Sequence, residues 1–483
     1  MGDSLNGRSP RSGDTGPRPV TGPYWTPAGD DASWLSLLVG GTRRHDTSHA
    51  TDLLSPPQIA LELEASVEQD RRAPCDWTAS PVWPGIWGVR FRIEAGRWSA
   101  YQIWGGGWST PKADVPGPIR LRSRDANRRS PSPRFLVLSD LQSKPLVTAT
   151  IPAAGALHEH EPFDAILCPG DLVEVPEDRD QWWGDRSGRS FFDLLSSSSR
   201  PGILATSLFL PCPGNHDISA TCGSTPLDRL DGVRPDDWSL RVYAHLFPMP
   251  QISAETQRQR TERLGAGVGP ADYYAVRVGD VWVCSLFVTC YYAKGDHDRR
   301  SGPTYELPGR FIFEQVTRGS LQHEWLRVAL ASRACRAARV RIVQLHHGIY
   351  SQGHSAVPPF GIPPDYEEDL LVRDLVPLLR EGGVHLVLNG HNHIVNHRLV
   401  DGIHYVESSH LGNTYRPYAQ LPDGSWAPEP HGHPSRLAIS DPGIGYFSII
   451  DTAGRGCLRT YRVDPSEGGP ARIVDAAGLD FAV

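Results

Sequence analysis

The chain has 483 residues, 39% hydrophobic and 21% charged, with 48 glycines and 43 prolines. That balance describes a folded, loop-rich globular protein larger than one ordinary domain. A formal charge of −7 excludes a general electrostatic pull toward nucleic acid or an anionic membrane, so any anion must be attracted locally. The only lysines are Lys112, Lys144 and Lys294; an almost entirely arginine-based positive charge reads as codon bias. No basic stretch followed by an apolar core stands near the N-terminus, and the apolar run from Trp34 to Val39 is too short for a signal peptide or a membrane span. Asn6 occupies the position where a Met1-Gly2 myristoylation signal needs Ser or Thr. Eight cysteines without a CxxC pair agree with reduced thiols, and Cys168, Cys212 and Cys284 sit in apolar runs as small core residues. The expectation is a cytoplasmic protein without a membrane partner.

Residues 1–30 are rich in Gly, Ser, Pro and Arg and lack apolar periodicity, which predicts a disordered tail. Residues 31–130 then form a small β-rich module and linker. Its alternating runs include Ile59-Ala60-Leu61-Glu62-Leu63 and Val89-Arg90-Phe91-Arg92-Ile93, with Trp77, Trp83, Trp87, Trp98, Trp104 and Trp108 interspersed. Large aromatics so placed read as core rather than as a sugar-binding platform. Residues 111–133 are Pro-, Arg- and Ser-rich and read as the linker. Residues 131–483 form the second domain, in which apolar runs of strand length alternate with helix-like segments at 319–334 and 367–380. The class is α/β with a layered sheet.

The informative pattern is what ends each apolar run. Phe135-Leu136-Val137-Leu138 leads into Ser139-Asp140. Ala165-Ile166-Leu167-Cys168 leads through Pro169 into Gly170-Asp171, and Leu208-Phe209-Leu210 leads through Pro211-Cys212-Pro213 into Gly214-Asn215-His216-Asp217. Ile342-Val343-Gln344-Leu345 leads into His346-His347, and Val384-His385-Leu386-Val387-Leu388 leads through Asn389 into Gly390-His391-Asn392-His393. Ligands bind α/β sheets outside the carboxyl ends of the strands, so these residues are expected at one edge. By itself a Gly-Asp is a turn and a His-His pair is packing or surface. All five in this order, each after an apolar run, point to one site. Oxygen and imidazole donors without thiolates suit Mn, Fe or Zn rather than a structural zinc. A pair of ions about 3.5–4 Å apart needs a bridging carboxylate and two partly separate ligand sets, and these residues suffice for both.

The order Asp, Gly-Asp, Gly-Asn-His-Asp, His, Gly-His-x-His resembles the calcineurin-like metallophosphoesterases, which include purple acid phosphatases and cyclic-nucleotide phosphodiesterases. The likeness runs from about Arg134 to Asp451 and includes Asp272-Tyr273-Tyr274, Leu321-Gln322-His323-Glu324-Trp325-Leu326 and Gly445-Tyr446-Phe447. It implies a four-layer αββα sandwich behind the β-rich N-terminal domain. It also implies two divalent or trivalent metal ions (Mn, Fe or Zn) that drive water or hydroxide onto the phosphorus of a small-molecule phosphate ester. Carried over by position, one ion falls to Asp140, Asp171 and His393, and the other to Asp171, Asn215, His346 and His391, with Asp171 bridging. His346 is preferred to His347 because it stands four residues before Tyr350. His216 takes the role of stabilising the transition state or protonating the leaving group, and Asp217 that of orienting it.

Two departures qualify the likeness. The first motif is Asp140-Leu141-Gln142 where the family has Asp-x-His, so Gln142 is a weaker metal donor than imidazole. Glu174 stands where purple acid phosphatases carry their iron-binding Tyr, which excludes a purple site and leaves Glu174 as a substitute ligand or a solvated loop acid. Gly170-Asp171-Leu172-Val173-Glu174-Val175 also departs from the protein Ser/Thr phosphatase motif, which favours a small phosphomonoester or phosphodiester. Loops 179–189, with Trp182 and Trp183, 296–300 and 350–354 are expected to set specificity, and His431-Gly432-His433 reads as surface decoration. The alternatives are a catalytically weakened binding or regulatory module, supported by Gln142, and a nuclease, disfavoured by the acidic charge. Monoester versus diester and the oligomeric state stay open.

Overall fold

The computed structural model describes residues 18–19, 24–27, 32–40, 58–63, 69–71, 78–79, 86–94, 98–105, 108–109, 112–114, 132–176, 178–184, 187–197, 202–217, 242–243, 246–247, 256, 258–259, 262, 273–288, 316–350, 364–408, 411, 433–439, 441 and 443–481. Trp77, Trp83, loops 296–300 and 351–354, His431 and Gly432 lie outside the described residues.

Each of the five apolar runs forms a strand. Arg134–Val137, Ala165–Cys168 and Leu208–Pro211 run parallel in an 11-stranded sheet. On their other flank this sheet continues antiparallel through Gly445–Asp451, Cys457–Val463 and Arg472–Gly478. Val340–Gln344 and Leu386–Asn389 lie in a 7-stranded sheet, parallel to Val281–Ser285 and Ile403–Ser408. Strands buried on both faces need unbroken apolar runs rather than alternation.

Side chains of the 7-stranded sheet show how the layers stack, because neighbouring residues point to opposite faces. Val281, Val283, Ile342, Leu386 and Leu388 join the core containing Phe135, Ile166 and Phe209 of the first sheet. Trp282, Cys284, Val343 and Val387 instead join Leu326 and Leu330 of helix Leu321–Leu330 and Leu375 and Leu379 of helix Pro364–Glu381. Helix Val147–His160 buries Val147, Ile151 and Ala154 against the first sheet, and Gly445 lies so close that an added Cβ would fall 2.0 Å from Thr150 Oγ1. The result is the expected helix, sheet, sheet, helix sandwich. Hydrogen bonds join the two sheets near the ends of their strands, among them Tyr274 Oη to the Pro211 carbonyl (2.9 Å), Gln344 Nε2 to that of Leu210 (2.9 Å) and Cys212 Sγ to that of Leu286 (3.0 Å).

The N-terminal part is β-rich but does not stand apart. Tyr24–Pro27 adds in parallel to Leu208–Pro211, and Ala32–Gly40, Ile86–Glu94 and Thr78–Ala79 extend the same sheet outward. Gln58–Leu63, Gln69–Arg71, Trp98–Gly105, Trp108–Ser109 and Ala113–Asp114 form a separate antiparallel sheet. Tyr24–Pro27 is a strand inside the stretch that the sequence reads as a tail. Tyr24 and Trp25 are fully buried, and the strand covers a sheet edge that would otherwise leave backbone groups unpaired. Trp25 Nε1 and Tyr101 Oη both donate to the Ala205 carbonyl, at 3.1 and 2.8 Å. Trp25→Ala is therefore expected to cost about 3–5 kcal/mol, measured as a fall in denaturation midpoint; an unchanged midpoint would contradict this docking.

His158, near the end of helix Val147–His160, is buried with Nδ1 accepting from the Phe163 N–H (3.0 Å) and Nε2 facing Thr206 Oγ1 (2.9 Å). Burial, reinforced by Arg134, pushes its pKa down to about 4 from 6.5. The unfolded chain takes up this proton first, so the stabilising contribution is complete above about pH 6.5 and shrinks as the pH falls toward about 4. The loss is on the order of 3 kcal/mol. His158→Gln, which keeps both hydrogen bonds, should flatten this part of the stability curve; an unaltered slope would remove His158 as its source.

Candidate functional site

The loops after the five strands close over one another at the sandwich rim. Asp140 N–H donates to the Gly170 carbonyl (3.1 Å) and Gln142 N–H to that of Asp171 (3.3 Å). Asp140, Gln142, Asp171, His391 and His393 all adopt positive φ, at 56°, 45°, 56°, 81° and 56°. L-residues seldom adopt this conformation, and strain of this kind persists where the surroundings over-determine it, typically at functional sites. Two glycines make the crowding possible. Gly170 has φ 99° and leaves no room for a Cβ, which would meet His346 Nδ1 at 2.4 Å; at Gly390 a Cβ would lie 2.0 Å from Ser139 Oγ and 2.6 Å from Asp140 Oδ2.

Side chains from these loops lie close together. Asp140 Oδ1 accepts from the His391 N–H (2.9 Å) and lies 3.5 Å from His393 Nε2. Asp171 Oδ1 accepts from the His216 N–H (2.8 Å) and lies 3.3 Å from His346 Nε2. Asn215 Oδ1 faces His346 Nε2 at 2.9 Å and His391 Nδ1 at 3.0 Å. Asp140, Asp171, Asn215, His346, His391 and His393 are all buried.

This donor set fits a cation. His346 Nδ1 donates to the Pro169 carbonyl at 2.8 Å, which turns Nε2 toward the oxygens of Asn215 and Asp171. Atoms of Asp140, Asp171 and His346, and separately of His346, His347 and His391, lie within 4.8 Å of one another. The electrostatics carry the same mark. Burial, with Asp171 nearby, raises Asp140 to about 7. Burial also opposes charge on Asp171, yet His346 and His216 hold its carboxyl well below the usual range. Burial works against a charged His346 as well, but Asp171 and then Asp140 raise it to about 9. Buried carboxylates such as Asp140 and Asp171 favour positive charge beside them, from an imidazolium or from a cation.

Several residues take places the sequence did not assign. Asp217 was expected to orient His216; its carboxylate instead accepts the backbone N–H groups of Asp171 (2.9 Å), Leu172 (2.9 Å) and Gly214 (2.8 Å), tying two loops together. The partner of His216 is Glu174, whose carbonyl oxygen lies 3.2 Å from His216 Nδ1, while the Glu174 carboxylate pairs with Lys144 Nζ at 2.7 Å. Glu174 is thus an ion-paired neighbour of the site. Gln142 turns its amide nitrogen to Asp171 Oδ2 at 2.8 Å, so it donates to a neighbouring carboxylate. Trp182 and Trp183, expected in a specificity loop, are buried, and Trp182 packs on Phe191, Phe192 and Phe247. Ser139, missed from the sequence, bonds Asp140 Oδ2 at 2.5 Å. Lys144 was legible in principle, as one of only three lysines.

A sandwich that gathers buried carboxylates and imidazoles at the carboxyl ends of two sheets defines a metallohydrolase. The model of the calcineurin-like phosphoesterases matches residues 133–395, over half of the chain, and the protein belongs to that family as a metal-dependent phosphoesterase. Two solved structures share the fold. The purple acid phosphatase PPD1 from seeds of yellow lupin (Lupinus luteus) aligns with TM-score 0.57 and 14% identity, over 96% of this chain and 74% of that one. PhoD aligns with TM-score 0.56 and 11% identity, over 97% and 94%. No curated protein matches the sequence. Gly390→Ala should displace Asp140 and lower metal affinity about 10- to 100-fold; chelator competition reading wild-type affinity would show that the close approach has no role.

Proposed function

We propose that the chain hydrolyses a small phosphate ester, a monoester or diester, at a centre of two metal ions drawn from Mn, Fe and Zn. The observation that carries this reading is the set of buried oxygen and imidazole atoms on Asp171, Asn215, His346 and His391 whose neighbouring pairs lie 2.9–3.3 Å apart. Asp140, Asp171 and His393 would hold one ion, and Asp171, Asn215, His346 and His391 the other. Ions held there would acidify a water toward neutrality and offset charge developing on the phosphoryl oxygens.

The chain's own groups supply the rest. His216 Nδ1 is tied to Glu174, leaving Nε2 as the ring atom able to reach the substrate and pass a proton to the leaving oxygen. Asp217 fixes the loops carrying Asp171 and Asn215. The departure of Gly170-Asp171-Leu172-Val173-Glu174-Val175 from the protein phosphatase motif supports a small-molecule substrate. Free thiols at Cys168, Cys212, Cys284, Cys335 and Cys457 support a reducing compartment. No helix among the described residues is long and apolar enough to cross a membrane. One observation favours a second reading, a binding module with a loosely held ion: Gln142 gives its amide N–H to Asp171.

Metal analysis of the purified protein, with turnover of paired chromogenic phosphomonoester and phosphodiester substrates, separates the two. Bound metal is expected, with loss of turnover in chelator and recovery on adding Mn, Fe or Zn. Asp171→Asn should lower turnover by more than the roughly 100-fold typical of outer-sphere changes. Full turnover by metal-free protein would end the proposal, and bound metal with no turnover of either ester would favour the binding module.

A further inference from the structure

We propose that His347 is a positioning residue that holds His391 in place for the metal centre, and that Gln322 anchors it from outside the site. The inference rests on the metal-centre reading above and extends it to two residues that reading leaves without a role.

The path begins on helix Leu321–Leu330. Gln322 is buried there, and its amide grips one peptide unit at both ends: Oε1 accepts the Phe287 N–H at 2.7 Å and Nε2 donates to the Phe287 carbonyl at 3.0 Å. This fixes the chain just beyond strand Val281–Ser285. The next carbonyl, that of Val288, accepts from His347 twice, from the backbone N–H at 3.4 Å and from Nδ1 at 3.3 Å. The buried His347 ring is thereby held against His391, with centroids 3.9 Å apart and planes inclined by 35°. His391 stands at φ 81°, a conformation its neighbours must enforce. A tilted ring packed against it and bonded to the Val288 carbonyl restrains the His391 imidazole, whose Nδ1 faces Asn215 Oδ1.

Ring nitrogens of His346, His347 and His391 also lie within 4.8 Å of one another, which makes a third imidazole ligand the rival role. The two roles separate by substitution. His347→Phe keeps a flat ring against His391 and removes both nitrogens, His347→Ala removes ring and nitrogens, and Gln322→Met removes the anchor without touching the site. The readout is metal affinity, measured by competition with a chromogenic chelator and by the rate of metal release on full-length protein that retains the wild-type circular dichroism spectrum. Metal affinity should fall about 10- to 100-fold in His347→Ala and Gln322→Met, with faster release, whereas His347→Phe, which keeps the ring and the backbone N–H bond to Val288 but loses the Nδ1 bond, should fall between wild type and His347→Ala. Wild-type affinity in His347→Ala or in Gln322→Met would overturn the brace. So would His347→Phe as weak as His347→Ala, because the nitrogen rather than the ring would then be needed. Wild-type protein that binds no metal would overturn the metal-centre reading itself, a result distinct from any difference among the variants.

Discussion

The structure depends on one electrostatic constraint: buried oxygen and nitrogen atoms of Asp171, Asn215, His346 and His391 lie 2.9–3.3 Å from their neighbours, with the Asp140 carboxylate alongside. A chain pays heavily for such a cluster unless positive charge compensates it. The signs of that cost are visible in the loops. Asp140, Asp171, His391 and His393 are held at positive φ, and Gly170 and Gly390 sit where a single methyl group would collide with the site.

The sandwich makes this arrangement sustainable by dividing the cluster between two sheets. Asp140, Asp171 and Asn215 come from the 11-stranded sheet, and His346, His391 and His393 from the 7-stranded one. Neither sheet holds a complete set. The site therefore exists only while the sheets stay in register, which gives the hydrogen bonds from Tyr274, Gln344 and Cys212 across the interface their importance. The N-terminal strand Tyr24–Pro27 belongs to the same logic, since it pairs with the strand that ends in the Asn215 loop. Packing on this part of the chain is thus coupled to the geometry at the rim.

Much of this was legible in the residues. The five apolar runs became strands because continuous burial on both faces leaves no alternative pattern, and the polar residues after them converged because parallel strands end at one edge. What escaped was pairing between loops. Asp217 follows His216 directly, yet its carboxylate reaches backward to Gly214 and across to Asp171 and Leu172. Nothing in the spacing of Glu174 from His216 announces their contact. Trp182 and Trp183 looked like loop aromatics because their partners Phe191, Phe192 and Phe247 are not periodic with them.

The layered α/β class could be read from hydrophobic runs alone, and the oxygen and imidazole residues that end those runs point to the chemistry they suit. Only the packing of distant segments fixes which side chains face which, that Gln142 donates a hydrogen bond to Asp171, that the His347 ring packs against His391 at an inclination of 35°, and that residues near the N-terminus complete the core sheet. The physical reason is range. Burial and strand periodicity act along neighbouring residues, whereas hydrogen bonds between loops and stacking between rings form only after distant segments have packed.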